Sequence, residues 1–326
     1  MPTGGCMNTQ TRWLVALFFL TPLACLPQTN LPVIGLITAG APPLSSSPRM
    51  AALLDGLREQ GFVDGQNVHI EARYAGDRLE LMPQFARELA AMKVDVMWVV
   101  GEQGVVAATA ASDSIPVVSF SCDRPDGIPL ARPGGRVTGV TCMQQDLNSK
   151  RVELLRELVP RLSRIAVLYN PLDSTKRGEF AELRGTFKNA PISLLPFEAS
   201  GPEQFEKVFA DIHKNKPGAL LVLDDLFTFV SAKAIADLAA RYRLPSIYGF
   251  SEYAGVGGLA SYGPDARHLA RRTAEYLAKI LRGEAAGSLP IEMPTQFDLV
   301  LNAKTAKALG VTIPKKVLIR ADRVIE

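Results

Sequence analysis

Histidine and cysteine are scarce in this chain, with three and four copies among 326 residues. His69, His213 and His268 have no neighbours at zinc-ligand spacing, so they are read as solvated surface and no metal or other cofactor is expected. No Gly-x-Ser-x-Gly elbow, no phosphate loop ending in Gly-Lys-Ser/Thr and no Gly-x-Gly-x-x-Gly after the first strand occurs. Their absence argues against a serine hydrolase, a nucleotidase and a dinucleotide enzyme. Charge of one sign is lacking too: 36 Lys and Arg face 33 Asp and Glu, a net charge of +3. That value drops by one if Arg12 is removed, and neither figure suits a nucleic-acid binder or a polybasic membrane surface. Short-period repeats, low-complexity tracts and long linkers are also missing.

The one apolar run that stands out, Trp13 to Leu20, is far shorter than the ~20 residues that span a bilayer. Arg12 precedes it and Thr21, Pro22, Leu23, Ala24 and Cys25 follow, which is the layout of a signal peptide over residues 1–25. Cys25, preceded by Ala24, resembles a lipoprotein site at which the thiol takes a lipid; simple cleavage nearby is the alternative. The expected location is therefore the periplasm, soluble or attached through a lipid anchor at Cys25.

From residue 31 onward, short apolar runs alternate with segments of helical period, the pattern of parallel sheets covered by helices. A first series of strands is expected at 33–38, 68–74, 94–100, 116–121 and 137–141, and a second at 165–169, 192–197, 219–223, 245–248 and 259–262. A helix at 266–281, a strand at 297–301 and a short helix at 303–309 would be surplus unless the chain crosses back between two domains. The expected fold class is α/β: two Rossmann-like lobes with parallel sheets, joined by a hinge of three crossings. The lobes are assigned to 31–143 plus 263–298 and to 144–262 plus 299–326.

Ligands of open α/β sheets lie beyond the carboxyl ends of the strands, where helix N-termini expose backbone N–H groups. That rule nominates Ser45 and Ser46 after the first strand, Gln103 after the third, and Ser121 and Asp123 after the fourth. In the second lobe it nominates Asn170, Asp224, Tyr248 and Glu252. Serines and helix-start N–H groups suit a carboxylate, Asp224 or Glu252 an ammonium group, and tyrosine an apolar portion, a combination that an amino acid satisfies. Equally, the serines are ordinary N-caps and the tyrosines ordinary core. No pair of nucleophile and base is evident, so no catalytic residue is assigned. Cys122 and Cys142 end consecutive strands, VVSFSC and VTGVTC, and neighbouring strands ~5 Å apart would bring the thiols within disulfide reach.

Several stretches carry a resemblance: LLDGLREQGFVDGQNVHIEARYA, LARPGGRVTGVT, KRVELLRELVPRLSRIAVLYNP, ADLAARYRLPSIYGFSEYAGVGGLASYGPD and FDLVLNAKTAKALGVTIP. Together they resemble the ABC-transporter substrate-binding proteins related to the tryptophan- and tyrosine-binding lipoproteins, with a type I periplasmic-binding fold. The resemblance implies a non-enzymatic protein that binds a small molecule between two lobes and delivers it to an ABC permease in the inner membrane. It places Gln103, Asp123, Asn170, Asp224, Tyr248 and Glu252 at the cleft. Where relatives often have Gly-Thr-Pro-Ala this chain has Gly101-Glu102-Gln103-Gly104, which adds a negative charge at Glu102. A periplasmic ligand sensor for a membrane receptor is the alternative, and an exported hydrolase the more distant one.

Overall fold

The computed structural model describes residues 31–39, 47–76, 78–122 and 129–326. The signal segment, Cys25, Ser45, Ser46 and Asp123 lie outside the described residues. Among the described residues, no helix is long and apolar enough to cross a membrane.

The first part of the chain runs β1 (Val33–Thr38), α1 (Pro48–Glu59), β2 (His69–Tyr74), α2 (Met82–Ala91), β3 (Val96–Val100), α3 (Glu102–Ala111), β4 (Val117–Ser121) and β5 (Val137–Thr141). The second runs α4 (Gln144–Leu158), β6 (Arg164–Tyr169), α5 (Ser174–Thr186), β7 (Ser193–Glu198), α6 (Phe205–Lys214), β8 (Ala219–Val222), α7 (Leu226–Val230), α8 (Ala232–Arg241), β9 (Ser246–Tyr248), α9 (Ser251–Gly255) and β10 (Ala260–Pro264). Then follow α10 (Ala266–Leu281) and β11 (Ile291–Glu292), and finally β12 (Phe297–Asn302), α11 (Ala303–Leu309), α12 (Lys315–Leu318) and β13 (Arg323–Ile325).

Two sheets result, in the orders β11-β5-β4-β3-β1-β2 and β13-β12-β10-β9-β8-β6-β7. Every pairing is parallel except β10 with β12. Parallel strands are buried on both faces, and the runs VMWVV in β3 and ALLV in β8 are accordingly apolar throughout and fully buried. The chain changes sheet three times: after β5, after β10 and between β11 and β12. Gly263 and Pro264 pair with Asp298 and Phe297 inside the second sheet, so the last two crossings fall after Pro264 and before Phe297 rather than at 263 and 298. The antiparallel ladder holds those four residues together.

Helix α10 covers the first sheet and lies against α1, where Gly56 admits the backbone of Arg271 and the Ala274 side chain. Its N-cap Asp265 accepts from the N–H groups of Arg267 and His268, which starts the helix at the crossing. Helix α4 begins at Gln144, behind Met143 in the left-handed region at φ 44°. Asn148 is buried inside α4 and bonded to Arg151 and Glu179, so tertiary partners override the preference of asparagine for a cap. Asp225 and Thr228 form a capping box that starts the short helix α7 at Leu226, ahead of α8.

The structure joins Cys122 and Cys142 in a disulfide between the ends of β4 and β5, with Cα atoms 4.5 Å apart. It therefore ties the last strand before the first crossing to its neighbour. Closing a loop of sequence separation 20 restricts the unfolded chain by about 3 kcal/mol. Denaturant titration with and without reductant is expected to show a midpoint shift of that size at constant slope. A shift below about 1 kcal/mol would mean that the strands hold this edge without the bond.

Candidate functional site

The carboxyl ends of β3, β4, β6 and β8 meet the starts of α1, α3, α5 and α7 around an inner cavity. It is lined by Arg49, Val100, Gly101, Glu102, Gln103, Phe120, Cys122, Asp173, Asp224, Asp225, Leu226, Phe229 and Phe250. Both lobes contribute. The free space is only about 40 Å³, room for a few water molecules. A larger outer cavity of about 640 Å³ adjoins it, shares Glu102, Gln103 and Asp173, and is walled by Leu79, Val106, Asn170, Leu172 and Phe227 among others.

Local backbone geometry explains which groups face inward. Gly101 takes φ 81°, a conformation that favours glycine, and turns the chain from β3 directly into α3 without a side-chain cap. Glu102 and Gln103, the first two residues of α3, therefore line the cavity, and their N–H groups belong to the helix's unpaired first turn. In the second lobe Asp173 caps α5, accepting from the Thr175 N–H at 3.0 Å and the Thr175 hydroxyl at 2.7 Å. Asp225 caps α7, accepting from the Thr228 N–H at 2.7 Å and from Asn170 Nδ2 at 2.6 Å. These two carboxylates are occupied in holding their helices.

Asp224 is different. It is 1% exposed, lines the inner cavity, and neither of its oxygens has a hydrogen-bond partner of ordinary geometry among the described residues. A side chain on Gly249 would overlap the Asp224 carboxylate and the Gln144 amide, so that glycine makes the room in which both sit. Burial pushes the Asp224 carboxyl up to about 6, against the attraction of Arg151, which pulls it down. Arg151 is itself fully buried on α4, donating from Nε to the Tyr262 carbonyl at 2.8 Å, from Nη1 to Asn148 at 2.6 Å, and from Nη2 to the Gln144 side chain. Burial lowers its pKa, with Asp224 and Glu179 opposing. Nearby, Lys176 and Glu179 form a buried ion pair at 2.9 Å.

Across the cleft, Arg49 from the first turn of α1 is 6% exposed and its guanidinium carbon lies 4.9, 4.7 and 4.7 Å from the ring centroids of Phe120, Phe229 and Phe250. Its Nη2 donates to Glu252 Oε1 at 2.9 Å. Phe229, Phe250 and Glu252 belong to the second lobe, so this single side chain bridges the two.

Of the residues nominated from sequence, Gln103 lines both cavities, Asn170 the outer one and Asp224 the inner one. Glu252 is at the site through its pair with Arg49. Ser121 ends β4 one residue before the cavity-lining Cys122 and is not among the residues lining either cavity. Tyr248 is a correction: it is fully buried in β9, its ring stacked 4.4 Å from that of Tyr253, and it contributes to the core rather than to the cavity wall. Arg49, Asp173, Phe120, Phe229 and Phe250 escaped the sequence reading. Arg49 lies four residues past Ser45 in the same post-strand segment, a signal that existed; the phenylalanines carry none, since a cage ring and a core ring look alike in sequence.

Comparison with known proteins gives consistent results. Residues 45–325 match the family described as ABC transporter substrate binding protein. A curated tyrosine-binding protein from Clostridioides difficile is 23% identical over 262 residues, covering 78% of this chain and 74% of its own. A conserved domain protein from Vibrio cholerae superposes with TM-score 0.82 at 27% identity, covering 90% of this chain and 99% of that one. A protein from Streptococcus pneumonia solved in complex with L-Trp gives TM-score 0.81 at 24% identity, covering 91% of this chain and all of that one. The two mostly parallel α/β sheets are thus the type I periplasmic-binding arrangement.

Proposed function

We propose that this chain, which belongs to the ABC transporter substrate-binding protein family, captures a small molecule bearing an ammonium group between its two lobes and hands it to an ABC permease. The observation that carries this is Asp224, a buried carboxylate at the wall of the inter-lobe cavity whose oxygens have no hydrogen bond of ordinary geometry among the described residues, only weaker approaches by the Tyr253 hydroxyl and the Gly249 N–H. A buried polar group without a partner costs stability, and a ligand donor that completes it recovers the loss. What the relatives' names say of those proteins, tyrosine binding and a complex with L-Trp, supports an amino acid as the ligand class.

In this mechanism the ammonium group donates to Asp224, and the first-turn N–H groups of α3 at Glu102 and Gln103 face the carboxylate. Because these groups sit on opposite lobes, the ligand gains contacts in the closed state that the open one lacks, and closure follows by population shift. No covalent step is needed, and the chain acts as a carrier rather than an enzyme. Export by the segment 1–25, with lipid attachment at Cys25 or cleavage nearby, would place the carrier outside the cytoplasmic membrane where a permease is met.

The test is mass spectrometry of the small molecules released on denaturing purified protein, followed by thermal-shift titration with the amino acids. A ligand at about 100-fold excess over its Kd adds about 2.7 kcal/mol to the native state. A saturable shift with an unaltered amine is expected. Melting that no amine moves, or a ligand recovered chemically changed, would overturn the carrier reading.

A further inference from the structure

The inner cavity is acidic apart from one side chain. Among the described residues Glu102, Asp173, Asp224 and Asp225 line it, and Arg49 is the only base that does. Arg49 does not sit at the edge of this cavity but fills it: three phenylalanine rings surround the guanidinium at 4.7 to 4.9 Å, and only about 40 Å³ is left over. Its Nε is buried with no partner among the described residues, and so is Oε2 of Glu252, its ion-pair partner. The pair therefore holds its place with hydrogen-bonding capacity unspent on both sides. No amino acid fits beside it, since ligand pockets occupy roughly 300–1,000 Å³.

We propose that Phe120, Phe229, Phe250 and Glu252 form a subsite for an organic cation of the guanidinium type, that Arg49 occupies it as an internal competitor, and that the ligand's cationic side chain takes its place. This rests on the carrier reading above and gives that reading its ligand class: an amine with a second, delocalised cation. Three aromatic faces attract a cation through their quadrupoles, and a planar guanidinium stacks on them where a compact ammonium does not. Glu252 supplies the carboxylate that such a fork pairs with, and its partly exposed side chain becomes free when Arg49 leaves. The opposite assignment, with Arg49 gripping a ligand carboxylate inside the cage, would set that anion against Glu252, which already pairs with the guanidinium at 2.9 Å. Like charges at such range repel in a buried site. The outer cavity of about 640 Å³, which shares Glu102, Gln103 and Asp173 with the inner one, gives the rest of the ligand its room.

The full chain and its Arg49→Ala and Phe250→Leu variants are titrated calorimetrically with L-arginine, L-tyrosine, L-tryptophan and L-leucine, after circular dichroism has confirmed that each variant is folded. Binding of L-arginine in preference to the neutral amino acids is expected. Arg49→Ala should bind it at least tenfold more tightly, because the competitor is gone, and Phe250→Leu about tenfold more weakly, because one face of the cage is lost while apolar volume is kept. If L-tyrosine or L-tryptophan binds instead and Arg49→Ala abolishes that binding, Arg49 grips a carboxylate; the cation subsite is then wrong while the carrier reading stands. If no amino acid binds to any of the three proteins, the carrier reading itself fails and takes the subsite with it.

Discussion

Replacing Arg151 by methionine is expected to lower the unfolding free energy by about 3–5 kcal/mol, among the largest losses any single side chain here would produce. Arg151 has no exposed surface, and it ties α4 to β10 through the Tyr262 carbonyl while bracing the start of its own helix through the Gln144 side chain and carbonyl and Asn148. Methionine fills similar volume but leaves the Tyr262 carbonyl without this donor and removes the cation that offsets buried Asp224 and Glu179. The cost of such a change is dominated by the charges left behind rather than by the bonds removed. Arg151→Lys, which keeps the charge and loses the fork, should fall between wild type and Arg151→Met. Denaturant unfolding measures all three. The Arg151→Met, Asp224→Asn double variant should be more stable than the two single changes added together by more than about 1 kcal/mol, because Asp224→Asn relieves more once the offsetting cation is gone. Simple additivity would show that Arg151 does not act on Asp224.

Asp224→Asn should have the opposite signature, with stability gained and binding lost. Burial raises the Asp224 carboxyl from 3.8 to about 6, so the folded protein holds its proton more tightly than the unfolded chain does. For a raised carboxyl the stability contribution is fully present below the unfolded pKa and is lost as pH rises through the folded one. From well below pH 3.8 up to pH 7 wild type therefore loses about 3 kcal/mol relative to Asp224→Asn, most of it between pH 4 and pH 7, at about 1.4 kcal/mol per pKa unit. Stability curves of the two proteins that stay parallel across that window would show that Asp224 does not titrate there. Ligand affinity follows the same proton. An ammonium group needs the ionised carboxylate, so wild type should bind its amine about tenfold more weakly at pH 5 than at pH 7. Asp224→Asn should bind at least 100-fold more weakly at pH 7 and show no such pH dependence, since a buried charged hydrogen-bond partner is lost. Calorimetry at the two pH values decides between this and a ligand held without Asp224.

The two predictions concern neighbouring charges that belong to different levels of organisation. Asp224 was legible in the sequence because it follows an apolar strand, and the carboxyl ends of parallel strands face the crevice whatever the helices are made of. The same rule reached Gln103 and Asn170, both of which line the cleft. It did not distinguish Asp225, which is spent on capping α7, from Asp224, which is not; the difference is one residue of rotation at a helix start. Nor did it reject Tyr248, the last residue of β9, whose ring stacks on Tyr253 in the core, because a tyrosine at a strand end looks the same whichever way it packs. Arg151 was beyond any local rule. In sequence it is one more charged residue on an amphipathic helix, and burying it depends on β10, α5 and β8 arriving together.

By itself the sequence determined the alternation of strands and helices, hence the two α/β layers, the helix at 266–281 to its last residue, and the strand ends at which a ligand can be met. These are consequences of period and of β-branched content, which act within a few residues of each other. Only the tertiary structure decided where the chain changes sheets, since the antiparallel ladder of β10 and β12 settles that by pairing residues more than thirty apart. It alone decided that Arg49 reaches across the cleft into three phenylalanine rings and that Arg151 is buried beside Asp224. The physical reason is the same in each case: the free energy of a charge depends on what surrounds it within a few ångströms, and in a fold of two lobes those surroundings come from distant stretches of chain.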